Sequence, residues 1–166
     1  MGGAMSGAVP LRAGDLRLAT ATTTFDGMAG SGATGTVDVF DITGHVALHG
    51  FAVVCTDDLE DSVDGAVLDI GVTGFADRFW DGSATPTDLD DIDAGVWFSV
   101  EAVVLTTGVG SMGAAYDGSQ GFERFPLALS AANILYTIAT QAITGGTLVA
   151  YALWSPLSAD GNLVAS

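Results

Sequence analysis

From Thr36 onward, short runs rich in β-branched and aromatic residues alternate with glycine-bearing breaks, and no capped helical period persists past two turns. Alternation with a period of two places successive side chains on opposite faces of a strand, so a chain patterned this way must build sheet. The runs are Thr36–Thr43, His45–Cys55, Ala66–Thr73, Trp97–Leu105, Ile134–Ile143 and Thr147–Trp154. Leu68, Ile70 and Val72 fall on one face of the third run. Trp97, Ser99, Glu101, Val103 and Leu105 share a face of the fourth. Phe122–Leu129 is a weaker strand, and Pro126 suits it to a sheet edge. Thr144-Gly145-Gly146 reads as the turn of a hairpin joining the last two runs. The segment closest to a helix, Leu127–Ala142, is rich in Thr, Ile and Tyr, which favour sheet.

The first 36 residues differ from the rest, being rich in Gly, Ala and Thr. They read as an extended N-terminal arm that holds one strand-like segment, Leu16–Phe25, and a flexible connector, Gly27–Gly35. Residues 37–166 then form a single domain, as a chain of 166 residues is long enough for one core and short for two. The expected fold is all-β: an antiparallel β-sandwich or jelly-roll-like domain with that arm attached. With 49% hydrophobic residues the chain is too apolar to stay disordered.

Charge narrows the function classes. Twenty acids face four arginines (Arg12, Arg17, Arg78, Arg124) and no lysine, for a net charge of -16. Such a surface repels phosphate backbones and anionic lipid, so no nucleic-acid or membrane partner is expected. The carboxylates also repel one another, and salt relieves this: the Debye length is roughly 3 Å at 1 M. The lysine-free, Ala/Gly/Val/Thr-rich composition resembles that of proteins from salt-loving archaea, and equally fits an acidic protein of a GC-rich bacterium or its phage. Met1–Gly7 lacks the apolar core of a secretory leader. Phe125–Ala159 carries no charge, yet Asn133, Thr137, Thr140, Gln141 and Thr144 interrupt it and no basic cluster anchors it. It is therefore expected not to span a membrane.

Two acidic segments lie between the strands: Asp57–Gly65, and Asp77–Asp81 continuing to Asp88–Gly95. Clustered carboxylates are the hard oxygen ligands that calcium takes, which makes Asp57, Asp58, Asp61, Asp64, Asp90, Asp91 and Asp93 the candidate metal ligands. Neither segment has the spacing of a helix-flanked calcium loop, since Leu59 occupies a ligand position after Asp57. Solvated surface acids are the commoner outcome, and no cofactor is expected. His45 and His49 sit on a strand, where four residues span roughly 13 Å at about 3.3 Å each, too far to share one zinc ion. Cys55 is the lone cysteine, inside the apolar run Phe51–Cys55, and reads as a buried thiol. No G-x-S-x-G, phosphate-binding loop or H-E-x-x-H occurs, and no catalytic residues are assigned. Trp80, Trp97 and Trp154 could line a sugar site, although core and interface positions are commoner homes for tryptophan.

Two stretches carry a resemblance. Phe40-Asp-Ile-Thr-Gly-His-Val-Ala-Leu-His-Gly-Phe-Ala-Val-Val54 resembles the "I-T-G-x-V" strand pair of small β-rich virion proteins of tailed phages and tailed archaeal viruses. Thr144–Ala165 resembles the ending of those chains, a Thr-Gly turn, a strand and a "Y/W-x-P-L-S-x-G-x-x-V-A" finish. The acidic middle departs from them. The resemblance implies a non-enzymatic capsid decoration or cement protein, a symmetric homo-oligomer, often a trimer. It would dock on the major capsid protein at the virion head surface, after synthesis in the host cytoplasm. A turret or tail adhesin for host glycans is the alternative, with aromatics such as Trp80 beside the acidic loops as contacts. A mean hydropathy of +0.47 leaves apolar surface to spare for subunit interfaces. An extended arm can add a strand to a neighbour's sheet edge.

Overall fold

The computed structural model describes residues 15–63, 65–82, 89, 92–99 and 126–166. Ten strands follow one another: β1 (Arg17–Thr24), β2 (Gly35–Thr43), β3 (His45–Asp61), β4 (Val67–Val72), β5 (Phe75–Trp80), β6 (Trp97–Ser99), β7 (Leu127–Ser130), β8 (Ile134–Ala139), β9 (Ile143–Pro156) and β10 (Asn162–Ala165). They make two antiparallel sheets packed as a sandwich. The first runs β1-β9-β3, with β6 and β7 both paired to β3; the second runs β10-β2-β8-β4-β5. Inward positions of both sheets meet in one core, where Phe40, Leu48, Tyr136 and Leu148 are fully buried.

β6 and β7 occupy a single lane along β3. Because β9 covers the other side of β3 throughout, both short strands lie on the same edge. Ser99 sits opposite Ala52, and Leu127 opposite Leu48. Only His49, Gly50 and Phe51 of β3 separate the two pairings, at the place where β3 shifts register against β9. The chain thus leaves this strand position after Ser99 and rejoins it at Leu127. The expected strands Trp97–Leu105 and Phe122–Leu129 coincide with β6 and β7 in part; residues 100–125 lie outside the described residues.

The stretch read as an arm contributes to the sheet. All eight residues of β1 pair with β9, from Arg17 opposite Trp154 to Thr24 opposite Thr147. Ala21 and Phe25 enter the core, and the Phe25 and Tyr136 rings meet at 6.2 Å. The glycine-rich connector that follows is a closed loop. The Asp26 carboxylate accepts hydrogen bonds from the Met28 amide (2.9 Å) and the Ser31 hydroxyl (2.5 Å). The Ile143 amide donates to the Gly32 carbonyl at 2.8 Å, tying the loop to the start of β9. Residues 1–14 lie outside the described residues.

The hairpin expected at Thr144-Gly145-Gly146 is absent, and those residues lie inside β9. β8 belongs to the second sheet and β9 to the first, so residues 140–142 cross from one layer to the other. The glycines serve a close backbone approach. Gly146 has φ +98, and a Cβ there would stand 2.7 Å from the Leu59 Cα on bulged β3. Two strands exceed the sequence reading. β3 runs on through Asp61 because Leu59 turns inward and is buried, which converts half of the first acidic segment into strand. Phe75–Trp80 is β5, although its part from Asp77 onward was expected as acidic loop; a two-residue turn, Thr73-Gly74, with Gly74 at φ +87, closes a hairpin with β4.

Trp154 ends the inward row of β9, 3% exposed, with the Arg17 guanidinium 5.0 Å from the ring centroid. Replacing it with alanine removes a buried indole and should lower stability by about 3–5 kcal/mol. Urea denaturation of Trp154→Ala measures this, and an unchanged midpoint would show that the indole packs against nothing.

Candidate interaction surfaces

The fold brings the two acidic segments side by side, which their separation in sequence did not reveal. The Leu59 amide donates to the Ile92 carbonyl at 3.2 Å, and the Cys55 amide to the Val96 carbonyl at 2.9 Å. Carboxylates take part in holding the turns. Asp58 accepts from the Ala94 amide at 2.7 Å. Asp61 accepts from the amides of Gly65 (3.1 Å) and Ala66 (2.8 Å). Asp57 and Asp93 are exposed at the same end of the sandwich. Asp64, Asp90 and Asp91 lie outside the described residues. Among the described residues, no three His, Cys, Asp or Glu side chains converge on a point that could hold a metal ion.

The remaining candidates separate. The His49 ring is within 2.8 Å of the Ser155 hydroxyl, covering a serine that is itself fully buried. His45 is exposed, its amide donating to Ser158 at 2.9 Å. The two imidazoles serve different contacts. Cys55 is buried as expected, its thiol donating to the Asp57 carbonyl at 3.0 Å, and burial pushes its pKa up, the opposite of an activated nucleophile. Trp80 and Trp154 belong to the core. Among the described residues, no helix is long and apolar enough to cross a membrane.

Two outer faces of opposite character remain. On the second sheet, Asp38, Asp41 and Asp69 point outward between inward-facing apolar neighbours. Asp41 accepts from the Asn133 side-chain amide at 2.8 Å, and Asp69 from the Gly82 amide at 2.9 Å. On the first sheet, outward positions form three registered rows: Leu18–Leu153–Gly50, Thr20–Tyr151–Ala52 and Thr22–Val149–Val54. None of these nine carries a charge. Leu18 is 66% exposed and Leu153 39%, while Val54 at the β6 side is buried at 7%. Among the described residues, acids flank the rows at both ends: Asp57 lies opposite Thr147 beyond the last, and Asp15 and Asp160 lie toward the end where Arg17 pairs with Trp154. Alternation alone assigns side chains to two sides of each strand. Which sides combine into a charge-free face depends on the register of β1, β9 and β3, and this is why the surface escaped the sequence reading.

Two predictions follow from these acids. Burial raises the Asp69 pKa, and Asp81 and Asp77 add to the effect, while the Gly82 hydrogen bond opposes it. A carboxyl whose folded pKa exceeds its unfolded value stabilises the fold below the unfolded pKa, near 3.8, and loses that contribution as pH rises through the folded pKa. Asp69→Asn, which keeps an acceptor for Gly82, should therefore raise the melting temperature at pH 7 and change it little at pH 3. A lower melting temperature at pH 7 would show that the carboxylate stabilises. Calcium removal with EDTA should leave the melting temperature unchanged, and a large drop would place a structural ion at the Asp57–Asp61 end.

No family model matches the chain, and no curated protein matches it. Among solved structures, its fold is similar to that of a chain titled "Cyanophage Pam1 capsid asymmetric unit". The TM-score is 0.51 and the identity 13%, over 92% of this chain and 94% of that one. At that identity the likeness concerns the sandwich architecture, which it spans almost from end to end.

Proposed function

We propose that this chain is a non-enzymatic virion structural protein, a capsid decoration or cement protein that docks as a homo-oligomer on the major capsid shell. The observation that carries the proposal is the shared fold: nearly the whole chain superposes on a chain from a cyanophage capsid asymmetric unit. The Phe40–Val54 and Thr144–Ala165 resemblance to tailed-virus virion proteins points the same way. The surface chemistry is compatible. An acidic outer sheet keeps particles apart and soluble in salt, while an uncharged outer sheet offers a place for protein contact. In this reading β1, committed to β9 along its whole length, is not the strand that reaches a neighbouring subunit. The adhesin reading loses its named contact, since Trp80 is buried against the core opposite Ile70.

Quantitative mass spectrometry of purified particles tests the proposal by the ratio of this protein to the major capsid protein. A high, fixed ratio is expected for a head decoration protein. A few copies per particle would move the protein to a vertex or tail and make glycan binding the next assay. Complete absence from particles would overturn the virion reading.

A further inference from the structure

We infer that the free edge of β1 is a strand-addition site, on which an extended segment of a different protein, uncharged along its middle and basic at its ends, pairs as a further strand of the first sheet. The inference goes beyond the virion reading and stands without it.

Hydrogen-bond parity defines the edge. β1 is the outermost strand of the first sheet and holds one register against β9 along all eight residues. Continued by one residue, that register sets Phe25 opposite Gly146, and the Phe25 amide donates to the Gly146 carbonyl at 2.9 Å. Opposite residues of antiparallel strands alternate between pairs that exchange hydrogen bonds and pairs that do not. Arg17, Ala19, Ala21 and Thr23 therefore bond β9, whereas Leu18, Thr20, Thr22 and Thr24 turn their amides and carbonyls away from it. The Thr24 and Thr147 hydroxyls, 3.3 Å apart, fit the closer side-chain approach of a non-bonded pair. Among the described residues, no backbone group meets the outward amides and carbonyls of those four positions. Such a ladder is completed by an extended chain, and main-chain bonds then supply affinity without a broad apolar face.

The other edges are defended and this one is not. Natural edge strands avoid pairing by charge, short length, proline or irregular register. β5 carries Asp77 and Arg78 and shifts register against β4. β10 has four residues, and the β3 edge is taken by β6 and β7. β1 has no proline, no bulge and no charge from Leu18 to Thr24, and Thr20, Thr22, Thr23 and Thr24 favour extended backbone. Its one charge, Arg17, lies over the Trp154 ring.

Charge selects the partner. The chain carries -16, and Asp15 and Asp26 bracket the edge. A second copy pairing on the same edge about a two-fold axis must set core-facing side chains opposite core-facing ones. Registers that join Leu18–Thr24 of two copies in this way bring Asp15 of each alongside Asp26 of the other. A segment with basic ends meets the same two acids with attraction.

Residue-resolved amide hydrogen exchange of the full chain tests this, with a synthetic peptide of alternating valine and threonine that has a lysine at each end. The peptide should slow the Leu18, Thr20, Thr22 and Thr24 amides saturably and leave Ala19, Ala21 and Thr23, already bonded to β9, unchanged. Thr20→Pro and, independently, Thr22→Pro each remove a donor that β9 does not use. Both should keep the circular dichroism and lose the peptide's effect. The same peptide with glutamate ends should protect less at low salt, the difference closing at about 1 M, where the Debye length is roughly 3 Å. The inference is overturned if the lysine-ended peptide slows none of the four amides, or if both peptides protect equally at low salt. Protection that survives in both folded proline variants also overturns it, and the wild-type pattern decides alone if neither variant folds. Slow exchange of the four amides in the dilute chain without peptide would assign the edge to another segment of the same chain. Slowing that grows with the chain's own concentration would assign it to a second copy; both outcomes overturn the inference. A chain at fixed ratio in particles whose edge takes no peptide sinks only this inference, and a peptide-binding chain absent from particles sinks only the virion reading.

Discussion

The long antiparallel pairing of β3 with β9 is the constraint from which the rest of the sandwich is hung. It runs from Val46 opposite Pro156 to Asp61 opposite Ile143, and every other strand of the first sheet attaches to one of the two. The inward rows that cross it are small on the β1 side and larger on β3: Ala19–Ala152–Phe51, then Ala21–Ala150–Val53. The alanines leave room for the facing sheet to come close at β1, which lies against β10 and β2. Filling that space to the density of a protein interior falls to larger residues such as Phe40 and Tyr136. The pairing absorbs its irregularities as bulges, at His49, Thr56 and around Asp58–Leu59, and the glycines of β9 sit opposite the last of these.

These bulges also organise the surface. The one at His49 coincides with the gap between the two short strands, where the chain leaves β3's edge after Ser99 and rejoins it at Leu127. Those near Asp57 and Asp58 turn acids outward at the end of the sheet, so the carboxylates stop where the uncharged rows begin. A chain with so few cations cannot neutralise its acids pairwise; among the described residues they fall on the second sheet and at the ends of the sandwich, with Asp57 and Asp58 at one end and Asp15 and Asp160 toward the other. That separation leaves a face through which an acidic protein can touch another protein without burying uncompensated charge, a costly event in any interface.

Much of the fold was legible from local pattern. Runs such as Val37–Ile42, Leu68–Val72 and Ile134–Ile138 were legible because one side of each strand is core, even though the phase slips at the Asp38–Phe40 bulge and Leu135 is buried between two core residues. The errors have specific causes. The strand Phe75–Trp80 was missed, its part from Asp77 read as acidic loop, because Asp77 and Arg78 mask the aromatics, although Thr73-Gly74 was a sufficient turn signal. Gly145-Gly146 looked like a turn because glycine's conformational freedom serves bulges equally well. The candidate site fared worse. Single acids could be named, but their grouping depends on contacts between residues as distant as Asp58 and Ala94.

Composition, alternation and turn chemistry are properties of neighbouring residues, so the all-β class, the buried Cys55 and the acidic character could be read directly from the chain. Pairing partners are set by cooperative packing among segments far apart in sequence, as with β1 and β9. The enrolment of Arg17–Thr24 in the sheet, the crossing of residues 140–142 between layers and the gathering of nine uncharged positions into one face therefore emerged only on folding. Each depends on register, and a slip of one residue would have turned the same side chains to the opposite side.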